Sequence, residues 1–326
     1  MTDPHSLSPH PTGATADTLE VEAGEGPLGG AVVPAAQDKP RSLASDAWHD
    51  LRRSPIFITA SVIIVIFVVM AAFPGLFTNK DPYFCDLNLS RQGPSAGAWF
   101  GYDLQGCDVY ARTIYGARAS ILVGVLTTTA VTLSGALFGM IGGFYGGWAD
   151  SVVSRVTDIF FGIPLLLGGI LVLSSFPSGV GTPEWQTIGK VVLALAILGW
   201  TSLARIMRST VIQVKQADYV QAARALGGGA PRILRAHVLP NAVTPVIVYA
   251  TIVLGIFIGA EATLSFLGIG LQPPVISWGV AIDDGATYFR QSPHMLLFPG
   301  GFLVLTVLAF IMLGDAVRDA FDPRLR

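Results

Sequence analysis

Few residues in this chain are spaced for chemistry. Its five histidines, His5, His10, His49, His237 and His294, are scattered from end to end, and no His-Glu-x-x-His or Gly-x-Ser-x-Gly pattern brings a base or nucleophile together with a partner. His237 reads as an exposed or capping helix residue rather than a ligand. The single Gly-Lys pair, Gly189-Lys190, runs into Val191, so there is no recognisable phosphate-binding loop; nucleotide, if used, belongs to another chain. Asp103 and Asp108 are too few to hold calcium and read as a turn former and a helix cap. One acid stands apart. Glu261 lies inside an apolar run, where an ionisable group is by default a functional candidate.

The elements that would position these residues are mostly apolar. Of 326 residues, 52% are hydrophobic and 13% charged, with mean hydropathy +0.59. Soluble domains carry about 25% charged residues, so the chain reads as an all-α polytopic membrane protein. Six spans are expected: about 56–76, 119–141, 152–176, 185–207, 243–267 and 295–314. Gly135, Gly139 and Gly143 recur every fourth residue and predict close helix packing along one face. Pro164 predicts a kink in the third span, and Arg155 and Asp158 a pair at its start. Residues 1–44, rich in Pro, Gly and acids with no Lys or Arg before Lys39, predict a disordered tail without a secretory leader. The transmembrane domain then covers 45–326, with an outer loop at 78–117, another at 270–294 and a cytoplasmic loop at 209–241.

That cytoplasmic loop contains the longest late polar insertion, 216–240. Ala217 to Leu226 is rich in helix formers, and Gly227, Gly228 and Gly229 break the helix. Pro231 suits the start of a second helix, which Pro240 is expected to end. By spacing alone this is a helix–turn–helix or an ordinary amphipathic connector.

Basic residues set the orientation. With both ends inside, the inner side holds Lys39, Arg41, Arg52, Arg53, Arg155, Arg205, Arg208, Lys215, Arg224, Arg232, Arg235, Arg318, Arg324 and Arg326. The outer side holds Lys80, Arg91, Arg112, Arg118, Lys190 and Arg290. The excess puts 216–240 and both termini in the cytoplasm of a cell inner or plasma membrane. Cys85 and Cys107, the only cysteines, then share the outer loop, either bridged or as two free thiols.

Three stretches carry a resemblance. Gln221-Ala222-Ala223, Gly227 and Leu239-Pro240 resemble the EAA loop of binding-protein-dependent ABC importer permeases. Residues 99–121, WFGYDLQGCDVYARTIYGARASI, and 259–279, GAEATLSFLGIGLQPPVISWG, are similar to signatures of the dipeptide, oligopeptide and nickel subfamily, and the C-terminal 313–326 to its usual ending. Gln221 stands where that family usually has Glu, His237 where Ile is common, and Tyr102 and Cys107 also depart. Gln keeps the reach of Glu without its charge, so an ion pair there is in doubt while docking by shape is not.

The resemblance implies a type I importer permease of six transmembrane helices, covering roughly 45–326. It implies no catalytic, cofactor or metal residue in this chain, ATP and Mg being held by two cytoplasmic ATPase subunits. The other implied partners are a second permease chain, an extracytoplasmic solute-binding protein, the lipid bilayer and a peptide substrate; nucleic acid is not expected. Gln221, Ala222, Ala223, Leu226, Gly227, Leu239 and Pro240 would form the ATPase-coupling loop. Glu261 would belong to the pathway or its outer gate, or form a structural pair with Arg112 or Arg118. Nickel or another small solute is the alternative cargo. A secondary transporter fits less well, since only Glu261 lies clearly mid-span.

Overall fold

Backbone in hydrocarbon must satisfy its own N–H and C=O groups, so each apolar run becomes a helix. The computed structural model describes residues 48–177 and 181–321. The expected tail at 1–44 and the tip at 322–326 lie outside these. The helices are α1 (Pro55–Ala72), α2 (Val109–Tyr145), α3 (Gly147–Phe161), α4 (Leu165–Ser175), α5 (Glu184–Lys215), α6 (Asp218–Ala225), α7 (Ala230–Ile233), α8 (Leu239–Phe266), α9 (Trp278–Ala286) and α10 (His294–Phe321). Five helical stretches are long and apolar enough to span a membrane: α1, α2, α5, the run Ala230–Phe266 and α10. Helices α3 and α4 reach the length and apolarity of a sixth span only when taken together, and they are bent by 85° at a break just before Leu165. Pro164 therefore breaks this span outright instead of kinking it.

Several boundaries differ from expectation for a physical reason. The loop expected at 78–117 ends earlier, because Asp108 caps α2: its Oδ1 accepts the Ala111 N–H at 2.9 Å. Arg155 does not pair with Asp158, which instead bonds Arg205 on α5 at 2.8 Å. The loop expected at 270–294 contains α9, and Val275, Ile276, Trp278 and Val280 within it are buried. The Trp278 indole, fully enclosed, donates to the Thr113 carbonyl at 2.9 Å, so this segment is pinned to α2.

The centre of the bundle is the pair α2 and α5, and its glycines explain the approach. A Cβ on Gly135 would lie 2.7 Å from Leu203 Cβ, one on Gly139 2.3 Å from the Ala204 carbonyl oxygen, and one on Gly143 2.8 Å from the Arg208 carbonyl oxygen. Three successive turns of α2 thus rest on the backbone of α5. Helix α8 meets α2 where Gly124 faces Ile258, and α10 where Gly314 faces Ile252. Helix α1 closes the side: Phe67 packs edge-on against Trp278 and Phe302, at 5.8 Å and 5.6 Å. Exposed Val65, Leu133, Ile159 and Leu171 leave the bundle's outside apolar, as lipid requires.

The segment between α1 and α2 is cross-tied. Cys85 and Cys107 are joined, sulfur to sulfur, at 2.01 Å. Asp103 Oδ1 accepts from the Gln105 and Cys107 N–H groups, both at 2.9 Å, and its Oδ2 pairs with Arg112 at 2.5 Å. Lys80 pairs with Asp108. Phe100 stacks on Phe298 at 3.9 Å, and a His294 ring nitrogen meets the Tyr102 carbonyl at 3.1 Å, docking the segment on α10. Gly106, at φ 75°, leaves no room for a side chain: a Cβ would come within 1.8 Å of the Asp86 carbonyl oxygen. Non-reducing peptide mapping of protein taken from its native membrane is expected to recover the Cys85 and Cys107 peptides linked. Two free thiols would overturn the bridge.

Candidate functional site

The 216–240 stretch builds a two-armed projection. The first arm, α6, stops by a motif its glycines make possible. The Gly228 N–H donates to the Ala223 carbonyl and the Gly227 N–H to the Arg224 carbonyl, both at 3.0 Å, with Gly227 at φ 82°. This paired ending satisfies carbonyls that the last turn would leave open, and it needs a residue that accepts positive φ. Leu226, at the corner, is 89% exposed, while Val220 and Ile233 from the two arms are fully or almost fully buried. The amphipathic arms bury Val220 and Ile233 in the core of the bundle and present Leu226, with the half-exposed Tyr219, outward.

The second arm does not end at Pro240, contrary to the sequence expectation. Residues Leu234–Val238 form a π turn that runs directly into α8, with Pro240 in its first turn. Proline cannot donate the i−4 bond, and a widened turn absorbs the fault without stopping the helix. Ala230 to Phe266 is thus one continuous span. Leu239 and Pro240 lie inside this rod, whereas Gln221, Ala222 and Ala223 lie on α6.

Gln221 is exposed, and its amide donates to the Lys215 carbonyl, at the end of α5, over 3.1 Å. An ionised Glu has no hydrogen to donate there. The end of α5 is anchored in turn. The Lys215 ammonium donates to the Gly143 and Phe144 carbonyls at 3.0 and 3.1 Å, complementing the negative C-terminus of α2. Arg208 forks onto Asp150 of α3, with Nη2 to Oδ2 at 2.7 Å. Arg205 lies 4.0 Å over the Phe161 ring while bonding Asp158. Sequence spacing could not find the ties from α5 to α2 and α3, because each joins residues on different helices.

Glu261 lies on the same rod as the second arm and is 0% exposed. The Ser265 hydroxyl donates to its Oε1 at 2.8 Å and accepts from the Leu271 N–H at 2.9 Å. Glu261 therefore has a serine partner, and the alternative pairing with Arg112 or Arg118 is not made. Arg112 is engaged by Asp103, with Asp284 of α9 close by; burial pushes the Asp284 carboxyl up and Arg112 pulls it back. Ser120 accepts from the Trp278 N–H at 3.2 Å, so helices α2, α8 and α9 meet through hydroxyl contacts around this acid. The serines in SFLGIG and ARAS gave no sign of this in sequence.

Residues 135–326 match the family model for the binding-protein-dependent transport system inner membrane component, and residues 42–94 that for the N-terminal TM domain of oligopeptide transport permease C. The chain belongs to the binding-protein-dependent transport system inner membrane component family. This permease is 37% identical over 288 residues to the oligopeptide transport system permease protein OppC of Bacillus subtilis (strain 168), covering 88% of this chain and 92% of that one. It is 37% identical over 286 residues to the dipeptide transport system permease protein DppC of the same organism, covering 87% of each. The glutathione transport system permease protein GsiD of Pectobacterium atrosepticum is 32% identical over 299 residues, covering 91% of this chain and 96% of that one. The permease is a membrane-embedded subunit of an ABC importer, and its relatives are permeases and not enzymes.

Proposed function

We propose that this permease moves short peptides into the cell, driven by ATP and Mg held in two cytoplasmic ATPase subunits that dock on the 209–241 loop. A second permease chain completes the pathway, and an extracytoplasmic solute-binding protein delivers the cargo. Both termini are cytoplasmic in this arrangement. The observation that carries the reading is Leu226, an almost fully exposed leucine at the corner between two short helices. Such a corner suits a groove on a partner, with Ala222 and Ala223 permitting close backbone approach. Peptide cargo is supported by relatives described as oligopeptide, dipeptide and glutathione permeases.

The mechanism follows from which arm is tied to what. Closure of the ATPases would push the corner. The first arm passes that push to α5 through Gln221 and Lys215, and α5 carries it to α2 and α3 through Lys215 and Arg208. The second arm is one rod with α8 and carries the push to Glu261, at the far end of that rod, which we assign to the outer gate. Coupling requires only that the ATP-bound and free partners hold the corner differently. The test is direct. Chain tagged and purified from its native membrane is expected to bring ATPase subunits with it, and the complex in proteoliposomes to accumulate peptide only when ATP and loaded binding protein are both supplied. Accumulation at an undiminished rate without nucleotide would sink the reading.

A further inference from the structure

A cavity of about 400 Å³ opens at the end of the bundle that carries the cross-tied segment. Pockets for small ligands run from about 300 to 1,000 Å³, so this one is large enough for a short peptide end. Its lining is chemically mixed. Arg118 lines it from α2 and Glu184 from the first turn of α5, together with Tyr115, Trp185, Val275 and Ile276. Arg118 is exposed and makes no ion pair among the described residues. A guanidinium that no acid meets keeps its donors for a ligand. Arg112, three residues before Tyr115 on the same helix, is by contrast neutralised by Asp103.

Glu184 is held differently. The Tyr83 hydroxyl donates to its Oε1 at 3.2 Å, and burial together with that carboxylate pushes the Tyr83 phenol up, so the proton stays on the tyrosine. The carboxylate keeps lone pairs for another donor. The cavity therefore offers one unpaired cation, one anion held by Tyr83 and aromatic walls. A peptide offers the complement: a carboxylate at one end, an ammonium at the other, and side chains between. Its ends lie about 7 Å apart for two extended residues, and further for longer ones.

We propose that this cavity receives the arriving peptide by its termini, Arg118 taking the C-terminal carboxylate through its planar fork and Glu184 the α-ammonium. The assignment rests on the peptide reading above and adds to it a recognition of free termini by the permease itself. It makes no demand on the side chains of the cargo, which the aromatic walls can meet whatever their identity.

The test uses the whole importer, purified through this chain and reconstituted with its binding protein. The probes are labelled dipeptides of alanine and glycine. Arg118→Gln is expected to lower their initial uptake at least tenfold, Arg118→Lys to recover part of it, and Glu184→Gln to lower it several-fold, with the other subunits still co-purifying in wild-type amounts. Uptake by Arg118→Gln within twofold of the unaltered importer would overturn the assignment and leave the peptide reading standing. Loss of the second permease chain from the Arg118→Gln complex would also overturn it, by showing that this arginine serves a contact between subunits. If the unaltered importer accumulates none of these peptides, the peptide reading falls and the assignment with it.

Discussion

Leucine in place of Gly139 is expected to prevent a stable bundle from forming. At this position even the first carbon of a side chain would lie 2.3 Å from the Ala204 carbonyl oxygen and 2.8 Å from Met207 Cβ. Both obstacles are fixed to the α5 backbone, so no rotamer change relieves them. The helices must part, and parting them also lifts Gly135 and Gly143 off α5. Overpacking a close-packed interior costs about 1–3 kcal/mol, or more where backbone is the obstacle. The milder Gly139→Ala isolates the sign. Alanine is intrinsically better in a helix by about 1 kcal/mol, so any loss reports the clash alone. Gly259 supplies the control, since a Cβ there meets nothing within 4 Å. Titration of the purified protein with dodecyl sulfate should show Gly139→Ala unfolding earlier than the parent, Gly259→Ala unfolding no earlier, and Gly139→Leu failing to accumulate. Equal behaviour of the two alanine variants would refute the packing argument.

These glycines also show what kind of information the sequence carries. Their spacing gave one face of one helix, which a single chain segment encodes locally. The spans, the break at Gly227 and the cap at Asp108 were legible for the same reason: helix formation and its termination depend on neighbours in sequence. Legibility ended where two segments compete for one residue. Arg155 lies beside Asp158 along α3, yet Asp158 turns to Arg205, whose guanidinium also covers the Phe161 ring. Glu261 was visible as an acid in an apolar run, but its surroundings come from Ser265, Ser120 and the segment holding Trp278, brought together only by the fold. Pro240 misled for a subtler reason. Proline predicts a stop because it lacks a donor, and a π turn of five residues supplies another way to accommodate that lack.

Aspartate in place of Leu226 should uncouple the importer while leaving its bundle unchanged. Leu226 is 89% exposed, and exposed substitutions away from special backbone positions change stability by about 0.5 kcal/mol or less. Its neighbour Gly227 at φ 82° is untouched, so the corner keeps its shape. If the corner enters an apolar groove, however, an unpaired carboxylate is carried into it, at a cost of roughly 3–5 kcal/mol. At about 1.4 kcal/mol per tenfold, that weakens docking by two orders of magnitude or more. The ATPase subunits should then be absent from purified Leu226→Asp complex, and ATP-driven peptide uptake should fall in proportion; removal of Gln221 to Gly229 should release them as well, with the spans still inserted. Gln221→Glu distinguishes shape from charge at the same surface. It loses the amide bond to the Lys215 carbonyl, a loss of about 1 kcal/mol at most for an exposed donor, and regains the acid usual in the EAA loop. We expect its ATPase recovery to remain within about fivefold of the parent on that energy. A Leu226→Asp complex that keeps its ATPase, beside a Gln221→Glu complex that loses it, would move the contact off the corner and onto the α6 face that bears the glutamine.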